Sequence, residues 1–163
     1  MTHLFFEPLR DIDRLLAWRM EVIESVFGLS AKTDTETLTQ LCRANRDYYR
    51  FHIRHASHYA CFAVTAEGEE IGCGGLCFHH ELPSPDNPNG KCAYMMNIYV
   101  RPAHRHQGAG HAIVDHLLEK CKRRGITKIY LEATPLGREL YSNLGFTDMA
   151  NMMIFNPQNN TQK

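Results

Sequence analysis

The sequence lacks the features of several protein classes. It has no apolar run near the ~20 residues that a membrane-spanning helix needs. Its first residues meet an acidic side chain and a proline before a secretory signal core could form. It also lacks an excess of either charge, since Lys plus Arg and Asp plus Glu each number 18. This balance argues against binding of nucleic acid or anionic lipid through the net charge of the chain, and we expect neither partner.

The cysteines and histidines predict neither disulfides nor a metal site. The six cysteines form no C-x-x-C pair, and without a signal peptide we interpret them as reduced, buried thiols of a cytoplasmic protein. Histidines cluster at His104, His106, His111 and His116. A spacing of five does not share one helix face, and no carboxylate or thiolate completes a ligand set. We therefore expect no metal.

The 163 residues, 44% of them hydrophobic, suffice for one domain with a real core. We predict a single domain over residues 1–155 and a polar tail over 156–163. Apolar spacing and turn residues predict a first helix between Asp11 and Gly28, a second helix from near Asp34, strands His58–Thr65, Glu70–His79 and Lys91–Val100, a loop over 81–90, a helix Ala112–Arg124, a strand Ile126–Ala133, a helix opened by Thr134 and Pro135, and a strand Met149–Phe155. The predicted order is α-α-β-β-β-α-β-α-β, an α/β (α+β) domain.

One segment indicates chemistry. After the strand that ends at Val100 come Arg105, His106, Gln107, Gly108, Ala109 and Gly110, and then a helix. Glycines without Cβ atoms let a bulky anion approach the backbone, and the first N–H groups of the helix then point at that anion. The helix dipole adds only ~0.3–1 kcal/mol at an exposed site, so several N–H bonds plus Arg105 would supply most of the affinity. A pyrophosphate fits this arrangement.

The spacing excludes the common nucleotide motifs. No G-K-[ST] follows the glycines, as a Walker loop requires, and Ile113 stands where the third glycine of a dinucleotide fingerprint belongs. An ATP- or NAD-binding domain of another family is therefore disfavoured. An ordinary tight connection between strand and helix remains an alternative for this segment alone.

The pattern Arg105-x-x-Gly108-x-Gly110, with L-Y-x-x-L-G-F over residues 140–146, resembles the GNAT superfamily of N-acetyltransferases. The resemblance covers roughly residues 60–155. It implies a mixed, mostly antiparallel central sheet flanked by helices, and acetyl-CoA as cosubstrate. It also implies a β-bulge near Asn97, which splays this strand from the next parallel one.

The resemblance assigns roles to particular residues. Backbone groups around Asn97, Ile98 and Val100 would pair with pantetheine, and the loop Arg105–Gly110 would hold the phosphates. Tyr141 stands where many relatives carry a tyrosine facing the departing sulfur, although it could equally be a packed helix aromatic. A tyrosine of pKa ~10 cannot readily protonate a thiolate of pKa ~8.5, so we expect a hydrogen-bond donor that strengthens as charge develops.

The general base is less clear. Many relatives place a glutamate on the strand equivalent to residues 94–97, where this sequence has Tyr94, Met95, Met96 and Asn97. The remaining candidates are His79, His80, Glu81, Glu132, Glu24 or an ordered water, and of these His79 or Glu132 is favoured. Adjacent strand residues face opposite sides, so at most one of the two histidines faces the cleft.

These observations predict an acyltransferase that moves acetyl directly from acetyl-CoA to an amine of a small molecule or peptide, as a monomer or homodimer. The competing hypothesis is a non-catalytic acyl-CoA-binding module that senses the cofactor and regulates a partner.

Overall fold

The computed structural model describes residues 4–28 and 35–157, which fall into two compact units divided after Glu132. Asp34, the predicted start of the second helix, and positions 158–163 of the predicted tail lie outside the described residues. The first unit carries five strands and three α-helices: β1 Phe5–Pro8, α1 Ile12–Phe27, α2 Thr35–Arg54, β2 His58–Val64, β3 Glu70–His80, β4 Lys91–Val100, α3 Ala109–Arg123 and β5 Lys128–Tyr130. A 3-10 turn, Pro102–His104, joins β4 to α3. The second unit carries α4, Arg138–Asn143.

The five strands form one sheet in the order β1-β2-β3-β4-β5. All neighbours are antiparallel except β4 and β5, which run parallel. The predicted mixed, mostly antiparallel sheet is therefore confirmed. Strand β1, which pairs with β2 along Phe5–Pro8, was not predicted because four residues ending in proline give little strand signal.

Helix α1 begins and ends where the sequence predicts. The Asp11 carboxylate accepts hydrogen bonds from the backbone N–H groups of Asp13 and Arg14, at 3.0 and 3.3 Å. Such a cap is worth about 1 kcal/mol. Gly28 ends the helix in the left-handed conformation with φ 61°.

Helices cover both faces of the sheet. The buried side of α1 includes Trp18, which packs with its ring centroid 5.1 Å from that of Phe62 on β2. Helix α3 buries Ile113 and Leu117 on the other face. The contact there is so close that a Cβ built on Gly74 of β3 would lie 2.6 Å from the Cγ2 atom of Ile113. The close packing of α3 against β3 therefore requires glycine at this position.

The second unit differs from prediction in two places. Helix α4 begins at Arg138 after a turn, because Thr134 accepts hydrogen bonds from Gly137 and does not cap a helix beginning at Pro135. The predicted strand Met149–Phe155 is wrong: this segment contains turns and irregular backbone, and Met153 and Ile154 are more than nine-tenths exposed. Its apolar residues run consecutively, without the alternation that a half-buried strand shows. The prediction of one domain over residues 1–155 stays a prediction.

Candidate functional site

A β-bulge interrupts β4. The β3–β4 pairing skips a register step between Cys73 and Gly75, so that one residue of β3 faces two residues of β4. The extra residue is Asn97, whose φ of 59° lies in the left-handed region. Asparagine is among the few non-glycine residues that adopt this conformation readily. The bulge that the sequence analysis expects near Asn97 is therefore confirmed.

The parallel pairing of β4 with β5 stops short of the bulge. It runs over three residue pairs and ends at Tyr94 opposite Tyr130. Within residues 4–28 and 35–157, no strand continues alongside β4 from Met95 to Val100 on this side. An extended ligand with amide groups can therefore pair with the backbone around Ile98 and Val100. This geometry fits the predicted pantetheine position, and that role itself stays a prediction.

The segment after β4 turns back over the end of the strand. The Arg105 side chain donates from Nε to the carbonyl oxygen of Val100 at 2.9 Å, and its guanidinium lies 5.7 Å from the centre of the Tyr99 ring. Within residues 4–28 and 35–157, the two terminal nitrogens of this guanidinium form no hydrogen bond or ion pair. Arg105 is exposed, and so its charge is available to an anion beside this loop.

Helix α3 begins three residues earlier than predicted, with Gly108 as its cap. Gly108 has φ 86°, and no side chain caps the helix, so its first N–H groups have no intrahelical acceptor. A Cβ built on Gly108 would meet no atom within 4 Å, which shows that the surface above it is open. His106 also adopts positive φ, at 60°. The loop therefore presents bare backbone and N–H donors, as a pyrophosphate requires.

A cavity of about 250 Å³ lies beside the start of α3, with Gln107, Gly108 and Ala109 on its wall. Glu67 and Glu69 also line this cavity, and so does His104, which pairs with Glu69. The two negative residues repel a further anion at close range, so this cavity does not suit a pyrophosphate. The predicted phosphate position is therefore the open loop surface, and that role stays a prediction.

Tyr141 lies in the second unit. Its side chain is buried, with 9% exposed, and its ring centroid lies 5.7 Å from that of Phe146. The carbonyl oxygen of Tyr141 accepts hydrogen bonds from the N–H groups of Leu144 and Phe146. The end of α4 and the following turn therefore fix the position of this tyrosine within its unit. Its predicted role toward sulfur stays a prediction.

Two of the candidate bases lie near one pair of tyrosines. The Nε2 atom of His79 lies 3.1 Å from the hydroxyl oxygen of Tyr130. Burial raises the pKa of Tyr94, and so do the charge and hydrogen bond of Glu132. The rings of Tyr94 and Tyr130 pack with centroids 5.4 Å apart. His79 and Glu132 thus border the same aromatic surface of β4 and β5.

The other base candidates fit less well. Glu81 is engaged by Lys128, whose Nζ lies 2.7 Å from its carboxylate, and this hydrogen bond lowers the pKa of Glu81. His80 is exposed at the end of β3 and alternates with His79, so it faces the opposite side of the sheet. Glu24 is exposed in the last turn of α1.

The sequence analysis missed a polar cluster around the bulge. The guanidinium of Arg19 on α1 donates to the side-chain oxygens of Asn97 and Asn45, at 2.8 and 3.2 Å. The Tyr48 hydroxyl lies 3.1 Å from Nδ1 of His58, whose pKa burial lowers to about 4, with a further contribution from His52. No local motif marks these side chains, because they come from two helices and two strands.

The described residues contain no group of three or more His, Cys, Asp or Glu side chains placed to hold a metal. Three of the clustered histidines have protein partners instead: Glu69 for His104, Asp115 for His111 and Tyr59 for His116. No described helix is long and apolar enough to cross a membrane.

Comparisons with known proteins support the same interpretation. A predicted acetyltransferase of Clostridium acetobutylicum, solved with acetyl-CoA, is 22% identical and covers 98% of this chain and 99% of its own, with a TM-score of 0.84. A GCN5-related N-acetyltransferase of Ralstonia eutropha JMP134 is 25% identical over 94% of this chain and 99% of its own, with a TM-score of 0.77.

A curated relative of Escherichia coli strain K12, the [ribosomal protein bS18]-alanine N-acetyltransferase, is 34% identical over 59 residues. That match spans 34% of this chain and 40% of the relative. Residues 23–146 match the Acetyltransferase (GNAT) family, a span that includes the bulge, the loop Arg105–Gly110 and Tyr141. The resemblance is thus confirmed: the chain belongs to the GNAT family of acetyltransferases.

Proposed function

We propose that this protein transfers an acetyl group from acetyl-CoA directly to an amine of a small molecule or peptide. The observation that carries the proposal is one continuous segment. The bulge at Asn97 leaves backbone groups of β4 without a strand partner, and the Gly108 cap follows on the same chain. Pantetheine amides would pair with the first part of this segment, and the pyrophosphate would bind at the second, beside Arg105.

The chain also offers groups for the chemistry. An alkyl amine with a pKa of ~10.4 is mostly protonated at pH 7, so forming the nucleophile costs about 4–5 kcal/mol without help. Glu132 or His79 would take that proton, directly or through a water, because both border the tyrosine pair of β4 and β5. The amine nitrogen then bonds to the acetyl carbon, the carbon–sulfur bond breaks, and the CoA thiolate leaves. The second proton lost by the nitrogen passes to that thiolate or to water. Tyr141 would donate a hydrogen bond to that sulfur.

The test combines binding with turnover. Calorimetry with CoA measures cofactor affinity, and release of free thiol from acetyl-CoA measures transfer to a panel of small amines, aminoglycosides and peptides. We expect acceptor-dependent thiol release. Tight CoA binding without such release across the panel would contradict an enzyme and support the regulatory module. A cytoplasmic location stays a prediction.

A further inference from the structure

The polar cluster at the bulge contains a cation, Arg19, for which the described residues supply no counter-ion. Arg19 is half-buried, and it donates from Nη1 to Asn97 and from Nε to Asn45. Both acceptors are neutral amide oxygens. In residues 4–28 and 35–157 no carboxylate lies within ion-pair distance of this guanidinium. A neutral side chain with N–H groups could donate the same two hydrogen bonds. These bonds therefore do not explain why a positively charged residue stands at this position.

The two other half-buried arginines of the first unit, Arg46 and Arg101, behave differently, and so does the exposed Arg14. Arg101 forms a two-pronged pair with Glu21, at 2.9 and 3.0 Å, Arg46 pairs with Asp13 at 2.8 Å, and Arg14 pairs with Glu70. Each of these cations has a carboxylate partner. Arg19 is held toward the bulge by two amides, and a guanidinium has five N–H donors, of which two are used. The remaining donors suit a carboxylate or phosphate, which guanidinium binds in a two-pronged fashion.

A negative group lies on the other side of the same region. Glu132 lies two residues beyond Tyr130, the last residue of β5, and its hydrogen bond with Tyr94 places it beside that ring. Tyr94 interacts with both charges: Glu132 raises its pKa, and Arg19 lowers it. Tyr94 on β4 is therefore within electrostatic reach of a positive pole, Arg19, and a negative pole, Glu132.

Helix α2 limits the space beside Arg19 and Tyr94. The Tyr48 hydroxyl reaches the sulfur of Met96 at 3.7 Å, and its ring packs against His52 and His58. Aromatic side chains thus close one side of this surface, which favours a small ligand over a polypeptide.

We infer that the acceptor is a small amine that also carries an anionic group, a carboxylate or a phosphate, with the anion bound by Arg19 and the ammonium facing Glu132. This inference rests on the proposed function. The acceptor ammonium gives one proton to Glu132 or to water, and the nitrogen bonds to the acetyl carbon. The carbon–sulfur bond then breaks, and the second proton lost by the nitrogen passes to the departing CoA thiolate or to water. The anionic group is unchanged by the reaction and remains bound to Arg19 until the product leaves.

The experiment compares matched acceptors that differ only in the anion. Phenylalanine is paired with phenethylamine, and phosphoethanolamine with ethanolamine, each at one acetyl-CoA concentration. We expect the wild-type kcat/KM to favour at least one anionic member by about 10-fold or more, which equals about 1.4 kcal/mol. The carboxylate and phosphate pairs show which anion is bound.

Variants then assign the preference to Arg19. Arg19→Gln should reduce the ratio of anionic to neutral kcat/KM by about 10-fold, a loss expected when a hydrogen-bonded charge is removed. Arg19→Lys should restore part of the ratio. Arg43→Gln removes the same charge from an exposed position of α2 and should leave the ratio unchanged.

The outcomes separate the two proposals. Transfer to neutral amines as efficient as to their anionic partners would overturn the inference and leave the acetyltransferase proposal intact. Equal ratios in Arg19→Gln and wild type would also overturn it. Absence of both acetyl-CoA binding and thiol release would overturn both proposals. If Arg19→Gln does not fold, the wild-type ratio and the Arg19→Lys variant still decide.

Discussion

Replacing Gly108 with alanine separates backbone strain from ligand exclusion. Gly108 and Gly125 flank helix α3, with φ values of 86° and 65°, and a Cβ built on either meets no protein atom within 4 Å. The added methyl group therefore clashes with nothing in either variant. What remains is the cost of a left-handed conformation in an L-residue, about 1–2 kcal/mol. Both variants should lose similar stability.

The size of that loss follows from the chain length. For 150–250 residues, each kcal/mol lowers the midpoint of thermal unfolding by about 2–4 °C. We therefore expect each variant to unfold about 2–8 °C below the wild type in scanning calorimetry without ligand. A far larger drop for Gly108→Ala alone would mean that the loop before α3 is packed more tightly than the open surface above it indicates.

Ligand binding should distinguish the two variants. Only the Cβ at position 108 projects where the pyrophosphate would meet the first N–H groups of α3. We expect the Kd for acetyl-CoA to rise about 10-fold or more in Gly108→Ala, the loss of roughly one charge-assisted hydrogen bond, and to stay unchanged in Gly125→Ala. Equal affinities in the two variants, measured by calorimetry, would refute the phosphate site.

Three further predictions concern stability and turnover. Gly74→Ala should lower the free energy of unfolding in urea by about 1–3 kcal/mol, because the new Cβ would lie 2.6 Å from the Cγ2 atom of Ile113 in the packed core. An unchanged urea midpoint would contradict this packing. Burial lowers the pKa of His58 in the folded protein from 6.5 to about 4, so between these pH values only the unfolded chain takes up the proton. The free energy of unfolding should therefore fall by up to about 3 kcal/mol as the pH falls from near 6.5 to 4. His58→Gln should flatten that part of the pH profile, and the same slope in the variant would exclude His58 as its source. Tyr141→Phe should lower kcat about 10-fold or more while leaving CoA affinity nearly unchanged, as expected for a donor to a developing charge; equal losses in both would argue for a packing role.

Local signals explain what the sequence predicts correctly. Asp11 and Gly28 mark the ends of α1 through side-chain and backbone properties that act within a few residues. The glycines between Arg105 and Gly110 likewise identify the start of α3, although the helix begins at Ala109. Strand-forming residues on either side of a turn that contains Gly68 predict the strands of the hairpin, β2 and β3.

The errors have physical causes of the same kind. The segment Met149–Phe155 has strand-forming residues, yet composition does not supply a neighbouring strand, and its side chains are largely exposed. Strand β1 shows the converse. Its four residues carry a weak signal, and pairing with the edge of β2 makes them a strand. Pairing partners distant in sequence decide both cases.

The same reasoning explains why the acceptor side was not predicted. Asn97 looks like a departure from the family when only β4 is considered, because it stands in a region where many relatives carry a carboxylate. In the structure it binds Arg19, 78 residues earlier, and Arg19 also binds Asn45, 26 residues later. A negative side chain on β4 would neutralise that guanidinium, whereas an amide orients it and leaves its charge for a ligand. In the acceptor site that we propose, the missing strand carboxylate and the available charge of Arg19 therefore belong to one chemical arrangement. In the mechanism that we propose, proton removal falls to groups outside β4, and Glu132, beside Tyr94, is one of the two candidates.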